Sequence, residues 1–180
     1  MKALVVGISD CQVSAGPDGE LVTYALGSCI AVSVWDPQRH IGGLLHYMLP
    51  ESTMDRNKAE SNPCMFADTG IERLFRMATD KGADRRRLVV RLAGGAQVLD
   101  PQGVFNIGKR NYQAARKLLW KYGVLIASEA VGGEVSRTVR LSAEDGRFRV
   151  REGNGTEIDL PVRASSRKEV TNGVPSVAGG

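Results

Sequence analysis

Gly27-Ser28-Cys29-Ile30-Ala31-Val32-Ser33-Val34-Trp35, then Asp36-Pro37-Gln38-Arg39, then His40-Ile41-Gly42-Gly43-Leu44-Leu45-His46 reads as strand, turn, strand. Ile30, Val32 and Val34 alternate with smaller or more polar residues, as along a half-buried strand. Asp-Pro at the first two positions favours a type I turn. With the turn centred between Pro37 and Gln38, Trp35 faces His40 and Cys29 faces His46. Directly opposed residues have Cβ atoms roughly 4.5–5.5 Å apart, which makes thiol and imidazole a candidate nucleophile–base pair. A bulge at Gly42-Gly43 would slip this register by one.

Outward from the hairpin, Leu21–Leu26 reads as a strand leading into the Gly27-Ser28-Cys29 turn, and Met1–Gly7 as a first strand. Residues 51–63, polar and turn-rich with Ser52-Thr53, Asn57-Lys58 and Ser61-Asn62-Pro63, read as a surface loop. Ile71, Leu74, Phe75 and Ala78 form one apolar stripe of a helix beginning near Met65 and stopping at Gly82. Leu88–Leu92 is a strand ending at Gly94-Gly95. A second helix, from about Gly108 to Tyr122, carries Ala115, Leu118, Leu119 and Tyr122 on one face. Gly123 suits the position after its C-cap. Val124–Ala130 is the next strand, and Asp145-Gly146 turns a hairpin between Arg137–Leu141 and Arg147–Arg151. Each helix must bury its stripe against a sheet, so the expected fold is α/β, with helices on a mixed, largely antiparallel sheet system.

The 180 residues, 42% hydrophobic and 24% charged, suit a single domain with a sizeable core, placed at 1–164, followed by a disordered tail at 165–180. No apolar run reaches the length of about 20 residues needed to span a membrane. No secretory signal is visible, so a cytoplasmic location is expected. Cys11, Cys29 and Cys64 make neither a disulfide framework nor a metal knuckle, and with two histidines no metal site or cofactor is expected. Cys11 and Cys64 read as small core residues. The net charge of +4 and the Arg85-Arg86-Arg87 run are a mild basic bias. Aromatics do not interleave with that run, so nucleic acid is not an expected partner.

A Cys–His pair can attack a carbonyl carbon. A neighbouring imidazolium holds the sulfur as thiolate, then protonates the leaving group and activates water against the thioester. A third group usually orients the imidazole; Asp, Asn or Thr would serve. The Cys29 amide, after the uncluttered Gly27-Ser28, is one candidate oxyanion donor, and the Ser28 hydroxyl another.

Val22-Thr23-Tyr24-Ala25-Leu26-Gly27-Ser28-Cys29-Ile30 and Gly42-Gly43-Leu44-Leu45-His46-Tyr47-Met48-Leu49-Pro50 resemble the signature of the chemoreceptor glutamine deamidases, the CheD family. Ala67-Asp68-Thr69, Gly94-Gly95-Ala96, Asn106-Ile107-Gly108-Lys109-Arg110-Asn111 and Gly132-Gly133 before Arg137 continue the likeness, over roughly residues 5–150. Pro63-Cys64-Met65-Phe66 departs from the pattern of many relatives. The resemblance implies a Cys29–His46–Thr23 catalytic set and an α/β sandwich similar to toxin-type cysteine deamidases. It also implies hydrolysis of receptor glutamines to glutamates with release of ammonia. The implied partners are the cytoplasmic domains of chemotaxis receptors and, for some relatives, a chemotaxis phosphatase. A non-catalytic adaptor and a hydrolase of small amides are the competing readings. Gly94-Gly95 follows a strand, where glycine serves a turn, a positive φ or a close backbone approach; the functional alternative is that Gly94 and Gly95 offer a surface flat enough for a receptor helix.

Overall fold

The structure is a computed structural model describing residues 3–98, 100 and 102–162; the expected tail at 165–180 lies outside the described residues. The strands, in chain order, are β1 (Leu4–Val5), β2 (Asp10–Ala15), β3 (Glu20–Leu26), β4 (Ile30–Asp36) and β5 (Ile41–Tyr47). They continue with β6 (Val89–Gly94), β7 (Ile126–Val131), β8 (Arg137–Ser142), β9 (Phe148–Glu152) and β10 (Glu157–Asp159). The helices are α1 (Arg56–Ser61), α2 (Ala67–Asp80) and α3 (Ile107–Lys121). One five-stranded sheet has the order β1-β3-β8-β9-β10, the other β2-β5-β4-β6-β7. Among the strands of the described residues, β1–β3 and β6–β7 pair in parallel, the latter joined through α3, and the other pairs are antiparallel. The expected mixed, largely antiparallel sandwich with flanking helices is the fold observed.

Alternation along β4 and β5 builds the layers. Ile30, Val32, Val34, Leu45 and Tyr47 face α2 and α3, meeting Ile71, Leu74, Phe75, Ala115 and Leu119. Ala31 and Leu44 face the other way and pack with Leu21, Leu26, Val139, Leu141 and Phe148 of the other sheet. Helices, β2–β7 sheet and β1–β10 sheet therefore stack as three layers. Gly42 and Gly43 permit the close stacking: a methyl on Gly43 would meet Leu74 at 2.8 Å, and one on Gly42 would meet Ala143 at 3.2 Å.

The hairpin register differs from expectation by two residues. Asp36 pairs with Ile41, Trp35 with Gly42 and Ala31 with His46, so the loop is Pro37–His40 and not a two-residue turn. The Asp36 carboxylate accepts the amides of Gln38 (2.9 Å) and Arg39 (3.3 Å), and His40 is left-handed at φ 50°. These local bonds favour the longer loop. A shift of two keeps every side chain on its expected face, where a shift of one would have reversed them all.

Residues 51–63 are also more ordered than a loop: they contain α1 and two 3-10 turns, Ser52–Met54 and Pro63–Met65, the latter ending just beyond. Asp55 accepts from the Lys58 amide and Asn62 from the Cys64 amide. The polar residues read as turn signals act here as helix caps, a use the same side chains serve equally well. The arginine run is engaged within the fold. Arg85 lies over the Phe75 and Tyr122 rings, and Arg87 pairs with the fully buried Asp36 at 2.8 Å.

Candidate functional site

Thr23 and His46 come from different sheets and meet between them. Thr23 lies inward on β3, His46 inward on β5, and Thr23 Oγ1 is 2.8 Å from His46 Nδ1. Both side chains are buried. The β3 register shifts between Thr23 and Leu26, with Ala25 left-handed at φ 55°. This bulge allows Thr23 and Leu26 both to face inward although their spacing would put them on opposite faces of a regular strand.

Cys29 stands just before β4, partly buried at the margin of the inter-sheet cluster beside Ala31 and Ala93. The sequence reading puts Cys29 directly opposite His46. The observed ladder makes them diagonal neighbours on one face, because His46 pairs with Ala31 two residues further along.

The Gly27-Ser28-Cys29 segment is held by its carbonyls. Gly27 O accepts from the Ala96 amide at 2.8 Å and Cys29 O from the Gly95 amide at 2.8 Å. Ser28 O accepts from Asn111 Nδ2 at 3.0 Å. Gly94 and Gly95, read as either a turn with close backbone approach or a flat substrate surface, are buried; their backbones lie against Cys29 and against Gly108 at the start of α3. Arg137 Nη1 donates to Gly132 O at 2.7 Å and to Gly94 O at 3.4 Å, bracing the same turn. Gly27 and Ser28 line a cleft of about 350 Å³ whose other walls include Ala96, Val98, Phe105 and Ile107. Its apolar walls suit the methylenes of a long side chain, and Gly27 and Ser28, the two residues before Cys29, are part of its lining.

The sequence left the protonation state of the resting Cys29–His46 pair open, and burial decides it. Burial between the sheets lowers the His46 pKa to about 4. Burial raises the Cys29 thiol above its ordinary 9.0, outweighing the lowering effect of its own backbone amide. The resting pair at neutral pH is therefore thiol and neutral imidazole, because a dry layer penalises both charges. Thr23, a neutral hydroxyl, can fix the ring without supplying a compensating negative charge. His46 Nε2 is buried with no hydrogen-bond partner among the described residues.

This predicts the pH dependence of Cys29 alkylation by iodoacetamide. The thiolate fraction of a group with a raised pKa grows about tenfold per pH unit below that pKa. The rate at Cys29, read by peptide mass, is expected to climb from pH 6 through pH 9 without an inflection near 6.5. A plateau reached by pH 7 would show a resting ion pair instead.

Cys11 and Cys64 are neighbouring buried residues of the core on the helix side of the sheet. Asn111 and Arg137 stand in the glycine-flanked motifs noted above, but neither has a nucleophile–base spacing: Asn111 bonds carbonyls 63 and 83 residues away, and Arg137 bonds the Gly94 and Gly132 carbonyls and the Glu152 carboxylate.

Residues 48–152 match the profile of the family described as CheD chemotactic sensory transduction. Over 160 residues, 89% of this chain and 94% of the relative, the chain is 55% identical to the probable chemoreceptor glutamine deamidase CheD of Solibacter usitatus (strain Ellin6076). It is 48% identical over 155 residues to the probable chemoreceptor glutamine deamidase CheD 1 of Syntrophus aciditrophicus (strain SB), covering 86% of this chain and 97% of the relative. It is 43% identical over 154 residues to the probable chemoreceptor glutamine deamidase CheD 2 of Anaeromyxobacter dehalogenans (strain 2CP-C), again covering 86% and 97%.

Proposed function

The chain belongs to the CheD family, and from that premise we propose that it deamidates glutamine side chains of chemotaxis receptors, with Cys29 as nucleophile, His46 as base and Thr23 as the anchor of the imidazole. The observation that carries the assignment is the Thr23–His46 bond in the inter-sheet layer, which leaves Nε2 unpartnered on the face that Cys29 shares. When Thr23 Oγ1 accepts the Nδ1 proton, the lone pair is on Nε2, the tautomer a base requires.

Nε2 takes the Sγ proton as sulfur adds to the carboxamide carbon, and the carbonyl π pair moves to oxygen. The Cys29 amide is the nearest backbone donor for that oxyanion. Imidazolium then protonates the nitrogen as the C–N bond breaks, and ammonia leaves a thioester. Nε2 next removes a proton from water, whose oxygen attacks the thioester; sulfur departs, is reprotonated, and the product is glutamate. Generating the charges only along the reaction path fits a base held neutral down to about pH 4.

Receptor signalling domains lie in the cytoplasm, and that is the proposed location. Among the described residues, no helix is long and apolar enough to cross a membrane. The test is peptide mass spectrometry of a receptor cytoplasmic fragment after incubation with the protein, with free glutamine run in parallel. Conversion of defined glutamines in the fragment, with little ammonia from free glutamine, is expected. An unmodified fragment would overturn the reading; ammonia from free glutamine alone would transfer it to small amides.

Thr23 has its own test. Thr23→Val keeps shape and removes the Nδ1 partner, so kcat should fall about 10²-fold, within the range for impaired acid–base catalysis, with KM little changed. Thr23→Ser, which keeps the hydroxyl, should retain most of the activity. Equal losses in both variants would make Thr23 a packing residue only.

A further inference from the structure

Asn111 lies in the second turn of α3 and is fully buried, and its side chain bonds to backbone on both halves of the site. Its Nδ2 donates to Ser28 O at 3.0 Å and to Met48 O at 2.7 Å. Ser28 immediately precedes the nucleophile, and Met48 follows the base by two residues. The main-chain carbonyl of Asn111 accepts the Tyr47 hydroxyl at 2.6 Å, while the side-chain Oδ1 is buried without a hydrogen-bond partner among the described residues. The two donated bonds set the amide orientation, since the reverse flip would put Oδ1 against two carbonyl oxygens.

A trans peptide points its C=O and N–H in opposite directions, and no cis bond is present among the described residues. Drawing Ser28 O toward α3 therefore turns the Cys29 N–H away from α3. That N–H donates to no other backbone group among the described residues. The neighbouring carbonyls of Gly27 and Cys29 are held by Ala96 and Gly95, so the peptide before the nucleophile is the one whose orientation depends on a side chain.

We propose that Asn111 is a positioning residue of the deamidation reaction: its two donated bonds fix the Ser28–Cys29 peptide with its N–H presented to the developing oxyanion, and tie the nucleophile loop to the end of the strand that carries His46. The inference rests on the deamidase reading. It concerns how the oxyanion donor is held, and it adds a residue outside the Cys29–His46–Thr23 set.

The experiment measures steady-state deamidation of a receptor fragment, Cys29 alkylation and thermal melting on the full chain, for wild type, Asn111→Ala and Asn111→Asp. Loss of an oriented oxyanion donor costs about 10²–10³-fold in kcat. Asn111→Ala should fall by that order with KM little changed. Alkylation by iodoacetamide, a displacement at carbon that develops no oxyanion, should stay near the wild-type rate. Asn111→Asp cannot donate while ionised, but burial beside two carbonyl oxygens raises its carboxyl pKa, and the protonated acid regains one donor. Its kcat should therefore rise as pH falls from 7 to 5, where wild type is level; melting curves at each pH identify the folded range. This signature also decides the matter if Asn111→Ala does not fold. Wild-type kcat in a folded Asn111→Ala, parallel losses in kcat and alkylation, or an Asn111→Asp profile that only follows its melting curve would each overturn the proposal. A wild-type protein that leaves the receptor fragment unmodified would overturn the deamidase reading and this inference with it.

Discussion

Cys29→Ala is expected to lower deamidation of a receptor fragment by roughly 10⁴-fold or more, the scale seen when the nucleophile of a covalent mechanism is removed. Without sulfur no thioester forms, and His46 can act only by aiming water at an amide, a far poorer reaction. Binding need not change, so the variant should still compete with wild type for the fragment. Stability should fall little, by about 1 kcal/mol or less, because Cys29 is partly exposed at the edge of the inter-sheet cluster and its loop is held by backbone carbonyls. Adding His46→Ala to Cys29→Ala should cost almost nothing more in rate, since nucleophile and base act as one unit. Glutamate formation by Cys29→Ala at a rate near wild type would remove Cys29 from the chemistry.

Gly94→Ala is expected to be the most damaging single-methyl change at the site. Gly94 has φ 109°, a conformation costing an alanine on the order of 1–3 kcal/mol. Its Cβ would also overlap the carbonyl oxygen of Cys29, with Ile30 Cα at 3.3 Å. The obstacle is backbone on the neighbouring strand, so no rotamer change can relieve it. A loss of about 3 kcal/mol or more is expected, lowering Tm by roughly 6–12 °C for a domain of this size. The folded protein that remains must carry a displaced Cys29 carbonyl, so kcat should fall at temperatures well below the melting transition. Gly7→Ala is the control, because a Cβ there meets nothing within 4 Å and its φ is not positive; it should melt as wild type. If Gly94→Ala matched Gly7→Ala, the close approach of β6 to the Cys29 segment would not be as described. Gly94 thus matters through the backbone it admits beside Cys29, which is the positive-φ and close-approach use of glycine that the sequence offered beside a flat substrate surface.

How far the chain could be read depended on the range of the interaction. The apolar stripe of Ile71, Leu74, Phe75 and Ala78 located α2, and that of Ala115 and Leu119 located α3, because a helix repeats within a few residues. The strands of the main hairpins followed from alternation in the same way. β2 and β10 went unread: Asp10–Ala15 does alternate polar with apolar, but two of its three apolar residues, Cys11 and Ala15, are small, and Glu157–Asp159 is too short to show a period. The Asp55 and Asn62 caps were taken for loop signals because the same side chains start helices and turns.

Period-two alternation by itself determined that Cys29 and His46 share a face, and that conclusion survived a two-residue error in register because parity is all it required. The likeness to the CheD signature supplied Thr23, which no spacing rule within one strand distinguishes from a packing threonine. Tertiary structure alone decided that Thr23 reaches Nδ1 across two sheets, through a bulge at Ala25 and a stacking distance set by remote glycines. It alone decided the resting charge as well, since the pKa of a thiol or imidazole depends on how much water the assembled layers exclude. Local periodicity is written residue by residue along the chain; desolvation and cross-sheet contact arise only when segments far apart in sequence pack together.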